Sequence, residues 1–111
     1  MVGHTLQQAL IGSKNLKSER VLMNPKEIKV GKIYCCDIPK ALLAEATKPT
    51  LEKLYLLGRI EEQSPFVAIS SVIRHDTYHE TFVFVVKVLT ETGLVGYLRF
   101  WEGEAVEEII T

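Results

Sequence analysis

Seven consecutive residues, Arg74-His75-Asp76-Thr77-Tyr78-His79-Glu80, gather two imidazoles, two carboxylates, a phenol and a guanidinium. Imidazole serves as acid, base or metal ligand near neutral pH, so a turn projecting His75, Asp76 and His79 has the donors to pinch one cation. The order is not His-Glu-x-x-His and the segment does not read as a helix, so the zinc-protease pattern is not met. A base such as His75 or His79, with Arg74 or Arg59 stabilising phosphorane charge, would be chemically sufficient for ribonuclease-type cleavage. The preferred reading is plainer: an exposed hairpin tip, with no metal and no cofactor. No glycine-rich phosphate loop, nucleophile elbow, dinucleotide fingerprint or paired-cysteine metal motif occurs anywhere in the chain, which argues against nucleotide-driven and zinc-ribbon functions.

A second constellation is a row. Tyr97, Arg99 and Trp101 alternate with Leu98 and Phe100, so in a strand they share one face while the other joins the core. Ring, guanidinium, ring is what a protein interface or a single-stranded nucleic-acid platform uses, because each ring offers rigid area and the guanidinium stacks. The competing reading packs Tyr97 and Trp101 beneath an N-terminal helix. The third group is the adjacent pair Cys35 and Cys36, too close to close a stabilising loop, and therefore read as reduced thiols. In a strand they point to opposite faces, so at most one is expected in the core, and an inert filler is preferred over a reactive thiol.

The elements that must position these residues are mostly strands. From Phe66 onward, apolar runs recur between turn signals: Phe66–Ile73, Thr81–Leu89, Leu94–Trp101 and a short Ala105–Ile110, separated by Ser64-Pro65, His75-Asp76-Thr77, Glu91-Thr92-Gly93 and Glu102-Gly103. Thr81–Leu89 is apolar on both faces, with Phe82, Phe84, Val86 and Val88 against Val83, Val85 and Leu89, which predicts a central strand. Upstream, Gly31–Ile38 reads as a strand stopped by Pro39. Ala41–Ala46 then reads as helix, with Leu51, Leu54, Tyr55 and Gly58 fitting a further helical turn, before a strand alternating over Leu54–Glu61. His4–Leu16 predicts an N-terminal helix, followed by a basic arm from Ser13 to Lys32 that holds a connecting strand at Arg20–Met23 and a turn at Asn24-Pro25.

With 111 residues, 47% of them apolar, one domain is expected: 1–27 as helix plus arm and 28–111 as the β core. The fold class is mainly β, or α+β, a small antiparallel meander or partly open barrel. A net charge of −1 gives no global field for nucleic acid or anionic membrane. Residues 1–60 nevertheless carry ten basic and five acidic side chains and residues 61–111 three and nine, so folding either cancels the two halves or leaves opposed faces. No apolar run reaches the roughly 20 residues of a spanning helix and the first residues lack a leader pattern, so a cytoplasmic protein is expected, with no membrane partner.

The pieces Ile28-Lys29-Val30-Gly31-Lys32-Ile33-Tyr34 and Gly93-Leu94-Val95-Gly96-Tyr97-Leu98, with the excursion after the first strand and the hairpin-linked strands, resemble a bacterial SH3-like barrel over roughly residues 28–110. That resemblance implies a five-stranded, partly open barrel whose excursion and hairpin tips bind a peptide, a protein or nucleic acid. The stretch Gly31–Pro39 is similar to the opening of the plasmid-maintenance toxin endoribonucleases. The function expected first is a non-enzymatic interaction module that binds a protein partner, or itself, through Tyr97, Arg99 and Trp101. The alternative is a small nucleic-acid-binding protein or toxin-type endoribonuclease using the basic arm with Arg74 and His75.

Overall fold

A computed structural model describes residues 19–44, 56–74 and 82–110. The expected helix over His4–Leu16 lies outside these residues, as do His75, Asp76 and His79. The described chain is a sheet in which every pairing is antiparallel. Its strands are β1 (Glu19–Met23), β2 (Ile33–Cys35), β3 (Lys40–Leu43), β4 (Leu56–Ile60), β5 (Phe66–Ala68), β6 (Ile73–Arg74), β7 (Phe82–Thr90), β8 (Val95–Trp101) and β9 (Val106–Ile110). They lie in the order β1-β9-β2-β5-β7-β8-β3-β4, with β6 paired to β7 off this path. The sheet does not close into a barrel, since β1 and β4 stand at opposite ends of the path.

Turn chemistry fixes the register. Asn24 Oδ1 accepts from the Lys26 N–H at 3.0 Å and caps one turn of 3₁₀ helix at Pro25–Glu27, where Pro25 supplies a preset φ. Gly31 adopts φ +86° and its N–H donates to the Ala68 carbonyl at 2.8 Å, tying the start of β2 to β5. The β7–β8 hairpin is closed by Thr90, whose N–H donates to the Leu94 carbonyl and whose Oγ1 accepts from the Leu94 N–H. As expected, β7 is central, bonded to β5, β6 and β8, with Phe84, Val85, Val86 and Val88 all buried.

One buried cluster, built around Tyr34, Leu42, Phe66, Phe84, Leu98 and Phe100, forms the core. Burying each such side chain stabilises the fold by about 1.5–3 kcal/mol. Cys35, Leu43, Val67, Val85 and Ile109 are equally buried but stand outside that cluster, and alternation along their strands turns them to the opposite side of the sheet. As expected, the two thiols point to opposite sides: Cys36 belongs to the core cluster, and Cys35 is buried on the other side of the sheet.

The helical reading of the excursion fails at its start. Ala41, Leu42 and Leu43 are good helix formers, yet they lie in β3, paired with β4 on one side and with Tyr97 of β8 on the other. Leu42 and Leu43 are both buried, on opposite sides, and helical propensity of a few tenths of a kcal/mol per residue is outweighed by two ladders and two buried leucines. Gly58, expected to stop a helix, sits inside β4, and the strand expected over Leu54–Glu61 is present from Leu56. Residues 45–55 lie outside the described chain. Among the described residues no helix is long and apolar enough to cross a membrane.

Candidate functional site

The row on β8 has the alternation its sequence dictates. Leu98 and Phe100 are fully buried, Tyr97 and Arg99 half-buried, and Trp101 is 39% exposed. Tyr97 lies opposite Lys87 of β7, whose Nζ stands 5.9 Å from the phenol ring centroid. Arg99 lies opposite Val85. Two further strands complete the surface. Leu43 pairs with Tyr97, and continuing that register brings Ala41 beside Arg99; Ala41 in turn pairs with Arg59 of β4. Ala41 thus separates two guanidinium-bearing positions.

A recess of about 110 Å³ opens here, lined by Ile38, Pro39, Lys40, Ala41, Arg99 and Trp101. A second, shallower concavity shares Pro39, Lys40 and Ala41 and runs on to Leu56, Gly58 and Arg59. Together they form a groove that crosses β8, β3 and β4. The strand expected over Gly31–Ile38 is only Ile33–Cys35, so the chain bends at residues 37–38 before Pro39 and leaves Ile38 exposed at the rim, while Gly96 lets β3 approach β8 closely. A Cβ at Gly96 would stand 2.8 Å from Leu42 Cγ and 2.9 Å from the Leu43 carbonyl oxygen.

Lys40 forms the inner wall, and its charge is answered inside the protein. Its side chain is buried, its ammonium donates to the Arg99 carbonyl at 2.8 Å and forms an ion pair with the buried Glu104 carboxylate. The same Nζ lies 4.5 Å from the Phe100 ring centroid and 5.0 Å from that of Trp101. Glu104 Oε1 accepts from the Trp101 backbone N–H at 3.2 Å, and the turn between them is completed by Gly103 at φ +84°. The ion pair therefore ties the start of β3 to the corner at which the chain leaves β8 for β9.

The other residues singled out from the sequence do not gather at this groove. Arg74 pairs with Phe84, on the core side of β7, and its guanidinium lies 5.9 Å from the Phe84 ring. Its neighbour Ile73, opposite Val85, is the residue of β6 that faces the same way as Arg99. His75 lies outside the described residues. Of the basic arm, Arg20 donates to Cys35 Sγ and Lys32 pairs with Glu108 at 3.7 Å, on the far flank of the sheet. Among the described residues no group of three or more His, Cys, Asp or Glu is placed to hold a metal ion.

The thiols add no nucleophile. Burial pushes Cys35 up to about 11, against the lowering pull of Arg20, and Cys36 up to about 12, against that of Lys40. Lys40 carries no mark in the sequence, and Ile38 and Pro39 stand out there only as the expected end of a strand. The signal that marks their neighbourhood is compositional: strands β3, β4, β7 and β8 hold Lys40, Arg59, Lys87 and Arg99 and not one Asp or Glu, whereas among the described residues every carboxylate within a strand is on β1 or β9. Comparison with family models, with curated proteins and with solved structures finds no match.

Proposed function

We propose that this chain is a non-enzymatic interaction module that holds a protein partner, or a second copy of itself, against the Tyr97–Arg99–Trp101 side of β8. The observation that carries the reading is the union of an exposed indole, a carboxylate-free four-strand surface and a groove beside both. Interface centres favour Trp, Tyr and Arg because they bring large area at low entropic cost, and a concave site beside them gives a partner's side chain a place to be buried. The SH3-like resemblance agrees with this. The path β9-β2-β5-β7-β8 supplies five strands, and the β3–β4 hairpin is the excursion between the first and second of them in the chain.

The test is Trp101→Ala and Tyr97→Ala, alone and combined, followed by light scattering for mass and by capture of the partner. Loss of self-association or of capture, with far-ultraviolet dichroism unchanged, is the expected result. An unaltered mass together with unaltered capture overturns the proposal.

A further inference from the structure

We infer that two copies of this chain pair edge to edge through β1, antiparallel about a two-fold axis at Leu22, so that one sheet runs on into the next. The inference goes beyond the interaction-module reading, because it uses the flank of the sheet far from Trp101. An edge strand presents a row of unpaired N–H and C=O groups, a template for another strand unless something blunts it. The two ends of the strand path are β1 and β4. The β4 end is blunted: its register with β3 shifts at Leu42/Leu43, and Gly58 lies inside it. The β1 end carries no such device. It runs in unbroken register with β9 over all five residues, holds no proline, glycine or lysine, and has no strand on its outer side among the described residues.

The side chains of β1 lack apolar neighbours in their own chain. Val21 is 40% and Leu22 65% exposed, and alternation puts them on opposite sides of the sheet. The strand beside them, β9, sets Glu108 opposite Val21 and Glu107 opposite Leu22. Both carboxylates are turned to other groups, Glu108 to Lys32 and Glu107 to Cys35 Sγ. Cross-strand apolar pairs are a main source of sheet stability, and a second copy supplies the ones that β9 does not.

Symmetry selects the copy as the occupant. Outward-directed N–H and C=O groups fall on alternate residues of an edge strand, and so do the side chains of each face. A strand laid antiparallel on its own copy, with the axis at a residue, opposes only residues of like parity, so hydrogen bonds and faces match together. With the axis at Leu22, this residue meets Leu22 of the second copy on one side of the sheet. On the other side Val21 meets Met23 of the second copy, twice. Arg20 falls opposite Asn24 of the second copy. An axis at Val21 would instead set the two Arg20 residues on a diagonal, where like charges repel. A strand of five residues is about 17 Å long and makes less than a standard interface, so the pairing is expected at roughly 10–500 μM.

The experiment measures the mass of the full chain by light scattering from about 10 μM to about 1 mM, a range that brackets an interface of this size. The mass should rise from that of one chain towards twice it. Leu22→Lys alters an exposed side chain and adds an edge lysine, and should raise the midpoint at least tenfold with far-ultraviolet dichroism unchanged. Leu22→Cys should form an interchain disulfide on mild oxidation, whereas Leu57→Cys on β4 should not; Cys35 and Cys36 are buried in both. A mass that stays at one chain throughout, a midpoint indifferent to Leu22→Lys, or equally ready cross-linking at Leu57→Cys overturns the inference. If association is lost with Trp101→Ala but not with Leu22→Lys, the edge pairing falls and the interaction module stands. Loss with Leu22→Lys alone upholds the edge pairing, and capture of a partner then judges the Trp101 side separately.

Discussion

The two flanks of the sheet treat charge in opposite ways. On the flank of β1, β9 and β2, cations and carboxylates face one another across strands: Lys32 reaches Glu108, and Cys35 Sγ sits between the Arg20 guanidinium and Glu107 Oε2. The basic first half of the chain and the acidic second half meet here and offset each other. On the flank of β8, β3 and β4, the strands carry cations alone, and Lys40, the one buried cation among the described residues, draws its carboxylate from the β8–β9 turn. On the first flank the pairing runs from strand to strand, whereas on the second Lys40 and Arg59 meet carboxylates, Glu104 and Glu61, that lie beyond the strand ends. The proposed interaction face lies on the second flank, beside the exposed Trp101.

The largest way to break the contrast is to remove its internal neutralisation. Lys40→Met leaves Glu104 buried without its ion-pair partner, and the expected loss of stability is about 3–5 kcal/mol by urea denaturation. Lys40→Met combined with Glu104→Leu removes both charges and should recover most of that loss, because well-packed apolar side chains replace a buried pair at little cost. If the single variant costs under 1 kcal/mol, the corner is not held by this pair and the account of the groove wall is wrong.

Next in size is an alkaline transition that samples both flanks through neighbouring residues. Burial raises Cys35 to about 11 and Cys36 to about 12, from 9.0 for a solvent-exposed thiol. The unfolded chain thus loses its thiol protons first. The stabilisation is fully present below pH 9 and is lost as pH rises through the folded values. For Cys36, beside the Lys40–Glu104 corner, this amounts to about 2–3 kcal/mol by pH 11. Denaturation midpoints measured from pH 8 to 11 should fall, and Cys36→Ser should flatten the fall more than Cys35→Ser. A flat profile in the parent chain would mean that the thiols are open to solvent.

The β core was legible in the sequence because its signals are local and redundant. Alternation in 95–101, an apolar run on both faces of 82–90, and glycines at positive φ in the Gly31, Gly93 and Gly103 turns each point to the observed element. The excursion misled because Ala41-Leu42-Leu43 has helical propensity, while the forces that make it a strand come from β4 and β8, remote in sequence. The Tyr97–Arg99–Trp101 row was visible as a strand face. Its partners were not, since Lys40 and Ile38 reach the groove only through the β3–β8 register. Arg74 shows the converse: it lies on the core side of β7, opposite Phe84, because a shift of one residue reverses the face.

The smallest change to the sequence tests the same flank by geometry alone. Gly96 lies in β8 with φ outside the left-handed region, so its requirement is for space and not for conformation. A methyl group there meets Leu42 Cγ at 2.8 Å, Leu43 O at 2.9 Å and Leu42 Cδ1 at 3.0 Å. The leucine side chain can rotate away, but the Leu43 carbonyl is backbone and yields only if β3 moves off β8. Gly96→Ala should therefore cost about 1–3 kcal/mol, less than breaking the ion pair. Because β3 carries Ala41 between the two guanidiniums, the same displacement widens their separation. Gly58→Ala is the matched control on β4: its nearest contact is Leu94 Cδ1 at 3.3 Å, the tip of an exposed side chain. It should leave stability within about 1 kcal/mol of the parent chain. Equal costs at the two glycines would show that β3 is not pressed against β8, and the groove built on that approach would lose its floor.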